Sequence, residues 1–202
     1  DRSVRNETEF QAFENQVNLP VITGRSLTSD DKNHIQLYVN GVKYDTTLFE
    51  IYTGPDLLRI NDAPQINDFV DIQEYASGKK VGLSTITASS STSSFNVSYI
   101  PNRIELYQNG IKLTQGQYTA VNGTSISLED PAISGDTLEV VQYDPSVVIT
   151  TTTVTAVGLQ TNFTGNYIVG NLDVFYNGIK LKSSDYKATT GIDVYIPTPA
   201  VA

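Results

Sequence analysis

Residues 104–113 read Ile104-Glu105-Leu106-Tyr107-Gln108-Asn109-Gly110-Ile111-Lys112-Leu113, two short runs of alternating apolar and polar side chains on either side of Asn-Gly. Alternation with period two marks a strand, and Asn-Gly supplies the two positive φ angles of a type I′ turn, so the stretch predicts a tight β-hairpin. The same stretch occurs twice more, as Ile35-Gln-Leu-Tyr-Val-Asn-Gly-Val-Lys-Tyr44 and Leu172-Asp-Val-Phe-Tyr-Asn-Gly-Ile-Lys-Leu181. The turn residues are therefore Asn40 and Gly41, Asn109 and Gly110, and Asn177 and Gly178, with asparagines 69 and 68 residues apart.

The match extends outward from the turns, which separates a repeat from three chance dipeptides. Eight residues past each turn glycine stands an aromatic, Phe49, Tyr118 or Tyr186. Upstream, Phe95-Asn-Val-Ser-Tyr-Ile100 aligns with Phe163-Thr-Gly-Asn-Tyr-Ile168. Downstream, Asn67-Asp-Phe-Val-Asp-Ile-Gln-Glu-Tyr75 aligns with Gly135-Asp-Thr-Leu-Glu-Val-Val-Gln-Tyr143, in both cases at a spacing of 68. Three copies follow, over 1–77, 78–144 and 145–202. If the strand beginning at Val17 is the counterpart of the Phe95 strand, the first copy carries about nine extra residues, and the polar stretch 23–33 reads as an inserted, exposed loop. The third copy stops where the second continues with Gly135-Asp-Thr-Leu-Glu-Val-Val-Gln-Tyr143. That predicts an open sheet edge and missing core side chains, with a continuation of the polypeptide or a partner supplying the strand.

In the second copy, short β-branched and aromatic runs at 83–87, 94–99, 103–108, 111–114, 118–121, 125–128 and 137–143 predict seven strands, with turns at Pro101-Asn102, Asn122-Gly123 and Asp130-Pro131. The fold class is all-β: tandem small antiparallel β-sandwich or partly open barrel modules of about 68 residues. A domain of about 60 residues buries only about 60% of its unfolded surface. With no disulfides, such modules need neighbours, and the short joints at 76–80 and 144–146 hold adjacent copies close.

Composition removes whole classes of function. The 202 residues include 13 Lys and Arg against 22 Asp and Glu, a formal net charge of −9, one His and no Cys, Met or Trp. No thiolate site, thiol catalysis or histidine-pair zinc site can be built within one chain. The acidic balance argues against phosphate neutralisation, so no nucleic-acid partner is expected. No run approaches the roughly 18 apolar residues of a membrane span, so no membrane insertion is expected. The chain opens on Asp1 and lacks methionine, which reads as a processed chain or a piece of a longer one.

No catalytic, cofactor-binding or metal-binding residue set emerges. His34 has neither a nucleophile nor a second imidazole nearby in sequence and reads as a surface residue at a strand edge. Asp62, Asp68, Asp130 and Asp136 recur at matched positions beside turn residues, where Asp bonds its own backbone. Tyr38, Tyr107 and Phe175 form a recurrent aromatic position, alternating with Gln36, Glu105 and Asp173. Such rings pack beneath a neighbouring strand or chain, or else stack on a sugar as a weak surface contact. Lys43, Lys112 and Lys180 recur after the turns and read as solubilising lysines that block edge pairing. Asp30 and Asp31, in the inserted loop, complete the candidate surface contacts.

The order Phe-x-Val-x-Tyr, a strand ending Tyr-x-Asn-Gly-Ile-Lys-Leu, then Gln-Tyr-x-Ala, Asn-Gly-Thr-Ser-Ile-Ser-Leu and Gly-Asp-Thr-Leu-Glu-Val-Val is fullest over 95–143, truncated over 163–199 and divergent over 17–75. It resembles repeats of tail-fibre and related structural proteins of tailed bacteriophages, notably those infecting marine cyanobacteria. The resemblance implies a non-enzymatic building block of a virion, assembled in the host cytoplasm, that serves as a spacer or attachment rod in a tail or neck fibre. It implies other virion proteins as partners, a homo-oligomer with the trimer favoured, and a host surface glycan as a target. Because the motif marks a module rather than an activity, the resemblance leaves tail fibre, neck fibre, baseplate part and capsid decoration protein open. The competing reading is a carbohydrate-binding or adhesive surface module of a secreted bacterial protein, using Tyr38, Tyr107, Phe175 and the loop around Asp30 and Asp31.

Overall fold

The computed structural model of the chain describes residues 5–13, 16, 18–20, 27–53, 57–75, 80–146 and 150–200. It is all-β: 47% of it is strand, no described helix reaches seven residues, and none of its small antiparallel sheets closes into a barrel. Of the two architectures expected, the sandwich holds. The chain divides into two compact units, Asp1–Val148, which holds the first two repeats, and Ile149–Ala202.

The first repeat runs β1 (Arg5–Gln11), β2 (Asn18–Pro20), β3 (Ile35–Val39), β4 (Val42–Tyr44), β5 (Phe49–Tyr52), β6 (Leu57–Ile60) and β7 (Phe69–Tyr75). These form two sheets, of order β1-β7-β3-β4 and β2-β6-β5. The second repeat runs β8 (Lys80–Thr87), β9 (Thr92–Asn96), β10 (Ile104–Gln108), β11 (Ile111–Lys112), β12 (Tyr118–Thr119), β13 (Ser125–Ala132) and β14 (Thr137–Tyr143). Its sheets, β8-β14-β10-β11 and β9-β13-β12, repeat the first plan strand for strand. In each repeat the two sheets enclose an apolar core. Leu37, Val39, Val70 and Ile72 join Leu19, Phe49, Leu58 and Ile60. Leu106, Leu138 and Val140 join Phe95, Ile126 and Leu128. Each such side chain removed from water contributes about 1.5–3 kcal/mol, and a one-residue slip would turn the whole set outward, so the alternation fixes the register.

The three Asn-Gly pairs form the predicted turns, with φ of 51° and 79° at Asn40 and Gly41, 51° and 79° at Asn109 and Gly110, and 48° and 81° at Asn177 and Gly178. Beyond accepting a left-handed backbone, Asn109 ties the hairpin to the next strand: its amide donates to Asp136 Oδ1 at 2.8 Å and its carbonyl oxygen accepts Thr137 N–H at 2.9 Å. Asn40 makes the same two bonds to Asp68 and Phe69, at 2.8 and 2.9 Å. The Asn109 amide, the Ile133 N–H and the Gln108 amide hold the Asp136 carboxyl below the usual carboxylate range. Asn109→Ala should cost about 1–2 kcal/mol in urea unfolding, from lost hydrogen bonds and a strained left-handed alanine. A depressed carboxyl pKa gives stability that is present above the unfolded value and lost as pH falls through the folded one. The same variant should therefore show a shallower loss of stability below about pH 4.

Three expectations change. Leu19, not Val17, takes the place of Phe95: Leu19 pairs with Leu58 as Phe95 pairs with Ile126. Leu19 lies 21 residues before Asn40 and Phe95 lies 14 before Asn109, so the insertion is seven residues rather than nine. The described part of that insertion is exposed only in part: Thr28, Ser29 and Asn33 are exposed, but the segment is not a simple loop. Ser29–His34 is a 3-10 helix lying against β5 and β8, and Leu27 and Asp31 are buried. Asp31 Oδ2 accepts the N–H and hydroxyl of Thr28 at 2.6 and 2.9 Å, so its burial serves the helix start. Asp130 and Pro131 lie within β13, at the point where its pairing with β9 shifts register, rather than in a turn. Such an irregularity tolerates a residue with no N–H. Residues 14–15, 17, 23–26 of the insertion, and 76–79 of the first joint lie outside the described residues.

The second unit contains β15 (Gln160–Thr164), β16 (Phe175–Tyr176), β17 (Ile179–Lys180) and β18 (Asp193–Ala200), paired as β15-β18 and β16-β17. By position these are the counterparts of β9, β10, β11 and β13.

Candidate functional site

A strand with its core residues facing inward should present polar residues to water on the other side. In β3 all five residues are buried, and in β7 six of seven. The reason is that the outer face of the β3-β7 sheet lies against the outer face of the β10-β14 sheet, joining the two repeats of the first unit through a buried polar seam.

Tyrosines at equivalent positions meet in this seam. Tyr38 and Tyr107 lie edge to face with centroids 6.4 Å apart and hydroxyls at 3.0 Å. Tyr75 and Tyr143 also lie edge to face, with centroids 5.6 Å apart. A directed chain of hydrogen bonds links them: Tyr38 Oη donates to Gln36 Oε1 at 2.6 Å, Gln36 Nε2 to Tyr143 Oη at 2.8 Å, and Tyr143 Oη to Glu105 Oε2 at 3.0 Å. The chain ends on a carboxylate that also accepts from Tyr107 at 3.1 Å and from Lys112 Nζ at 2.5 Å. Such a network is cooperative when satisfied and costly when broken.

A fully buried ion pair crosses the seam. Lys43 Nζ donates to Glu139 Oε2, with side chains only 1% and 4% exposed, and the ammonium sits 5.2 Å above the Tyr107 ring. Beside it, Lys43 N–H donates to the Gly110 carbonyl at 3.0 Å. Lys43 and Gln36 of the first repeat thus reach a strand residue, a turn and a tyrosine of the second, a contact between unlike positions that sets one orientation of repeat on repeat. Burial pushes the Lys43 ammonium down from its ordinary pKa against the raising effect of Glu139. Burial first, and then the Glu105 carboxylate, pushes the phenols of Tyr107 and Tyr143 well above theirs.

These directions set an alkaline limit. A phenol with a raised folded pKa gives stability that is complete below the unfolded value near 10 and is lost as pH rises toward the folded one, at up to about 1.4 kcal/mol per pH unit per tyrosine. Lys43 acts oppositely, adding stability as pH rises from its folded value, but that gain ends near the unfolded value of about 10.4. Urea unfolding between pH 9 and 11 should therefore show falling stability above about pH 10, with Tyr143→Phe removing one proton from the slope.

The sequence-derived candidates fall as follows. Tyr38 and Tyr107 are buried at 2% and 1% exposure, so neither offers a ring to a sugar, and Asp31 is buried in its helix cap. As surface contacts all three are corrected to internal residues, while the packing of Tyr38 and Tyr107 beneath a neighbouring strand holds. Asp30 lies in the same 3-10 helix. Phe175 is half-buried in the second unit, where Lys180, buried, lies 3.3 Å from Asp173. Lys43 and Lys180 are thus not solubilising lysines. His34 is half-buried at the end of the 3-10 helix, with Nδ1 3.9 Å from Asp31. Tyr75, Tyr143 and Glu139 were not singled out from sequence. The signal for the tyrosines was their recurrence 68 residues apart, out of phase with the core positions.

Among the described residues, no three His, Asp or Glu side chains converge to hold a metal ion, and no helix is long and apolar enough to cross a membrane. The seam holds one β-sandwich on the other in the first unit. No protein-family model matches the chain, and no curated protein matches its sequence.

Proposed function

We propose that the chain is a non-enzymatic structural component of a bacteriophage virion, a spacer or attachment rod in a tail or neck fibre. The repeat-to-repeat seam carries this reading. Its aromatic, carboxylate and lysine side chains, which in a binding module would face a ligand, are consumed in joining successive sandwiches. The resemblance of 95–143 to phage appendage repeats supplies the virion context, with other virion proteins and further copies of the chain, as a trimer, for partners. Burial of Tyr38 and Tyr107 weighs against the carbohydrate-binding alternative. Antibodies raised against the chain should decorate an appendage of purified particles in electron microscopy. A chain recovered only as a free protein, absent from particles, would overturn the reading.

A further inference from the structure

The sheet β2-β6-β5 of the first repeat turns Leu19, Phe49, Leu58 and Ile60 into the core. Alternation along its strands puts Asn18, Glu50, Tyr52 and Arg59 on the outer face, and all four are exposed. Asn18, Arg59 and Glu50 form one row across the three strands, Arg59 standing opposite both of the others. Tyr52 lies two residues along β5 from Glu50, on the same face. Arg59 Nη1 donates to Tyr52 Oη at 2.8 Å, with the guanidinium carbon 5.7 Å from the ring centroid, and 41% of Tyr52 stays open to solvent. Among the described residues Arg59 makes no ion pair, and the Glu50 carboxylate and Asn18 amide make no hydrogen bond. An aromatic ring and three polar groups thus stand side by side on a sheet without satisfying one another. The second repeat supplies an internal blank. The same row of its β9-β13-β12 sheet is Ser94, Ser127 and Thr119, all exposed and small. The sandwich therefore folds without the ring or the charges, which belong to the face of the first repeat alone.

We propose that this outer face binds a neutral pyranose unit of a polysaccharide. The C–H face of the sugar ring stacks on Tyr52, whose flat apolar body and polar tip suit a ring that is itself apolar on its faces and polar at its edge. The Glu50 carboxylate accepts from sugar hydroxyls, the Arg59 guanidinium donates to sugar oxygens, and the Asn18 amide can do both. Carboxylate and guanidinium each present two atoms in a plane, which matches a pair of adjacent hydroxyls, and their hydrogen bonds are the stronger for being charge-assisted. The net charge of −9, with Glu50 on the platform itself, repels a polyanion and selects an uncharged sugar. The inference rests on the attachment reading for its purpose and fails separately from it, since sugar binding by the purified chain is measured without particles.

The test titrates the whole 202-residue chain with hexasaccharides of β-1,3-glucan, β-1,4-glucan and β-1,4-mannan, and with an alginate hexasaccharide as the acidic comparison. Saturable binding of at least one neutral sugar is expected, with NMR amide shifts confined to the neighbourhood of residues 18, 50, 52 and 59 and absent at 94, 119 and 127. Tyr52→Ala should weaken it at least about tenfold, whereas Tyr52→Phe, which keeps the ring, should stay within about threefold of the parent. Glu50→Gln removes a charge without removing bulk and should weaken binding at least about threefold with the urea midpoint unchanged, so that the outcome does not depend on how Tyr52→Ala folds. No binding of any neutral hexasaccharide, equal binding by Tyr52→Ala and the parent, shifts centred on the second repeat, or tighter binding of alginate than of the neutral sugars would each overturn it.

Discussion

Lys43→Met is expected to destabilise the first unit by about 3–5 kcal/mol, and adding Glu139→Leu to recover most of that loss. The single change removes the ammonium but leaves the Glu139 carboxylate, 4% exposed, without its cation. A lone buried carboxylate must be desolvated or protonated, and either is costly. The double change leaves neither charge and fills the seam with apolar volume, which often matches or exceeds a buried ion pair in stability. Lys112→Met is the control. Its pair with Glu105 has side chains 16% and 14% exposed, so solvent screens part of the interaction and the loss should be nearer 1 kcal/mol. Urea unfolding followed by tyrosine fluorescence reads all three variants, there being no tryptophan to mask it. A Lys43→Met loss no larger than that of Lys112→Met would mean the pair does not hold the repeats together. If the pair is kept for specificity, the double variant should be as stable as the parent yet allow more than one orientation of repeat on repeat. Duplicated signals from Tyr38 and Tyr107 in NMR would show that.

The two-sheet plan was legible because its signals are local. Asn-Gly demands two positive φ angles, and the alternation of Leu106 with Tyr107, or Leu138 with Glu139, names the core face without reference to anything distant. The seam was not legible for the complementary reason. Glu105, Glu139 and Lys43 are residues that a strand ordinarily gives to water, and nothing within one repeat states that a second repeat will cover them. Tyr38 and Tyr107 were recognised as recurrent, but whether a strand aromatic faces solvent or a neighbour depends on an interface no single-strand pattern encodes. The insertion misled through composition. Its polar residues read as solvent-exposed, yet Asp31 is buried because its carboxylate is used by Thr28. The choice between Val17 and Leu19 was undecidable from alternation alone, since both fall on the same face of a period-two strand. Only the pairing of Leu19 with Leu58 resolves it.

Gly110→Ala should cost about 3–4 kcal/mol, combining about 1–2 kcal/mol for a left-handed non-glycine residue with the overpacking of a closed contact. The turn glycine has φ +79°, and a Cβ built on it would lie 2.4 Å from the Lys43 carbonyl oxygen and 2.6 Å from Val42 Cγ1. The first neighbour is backbone and cannot swing aside, so the two repeats must separate at the point where Lys43 N–H reaches the Gly110 carbonyl. Gly135→Ala isolates the conformational part of the cost. Gly135 has φ +95° but nothing within 4 Å of its Cβ direction, so that variant should lose only about 1–2 kcal/mol. The excess of the first over the second measures how rigidly the seam is held. It should appear also as faster hydrogen exchange at the Lys43 amide in Gly110→Ala and not in Gly135→Ala. Equal losses in the two variants would mean that the repeats adjust freely against each other, and a joint that adjusts so easily could not transmit a fixed direction from one sandwich to the next.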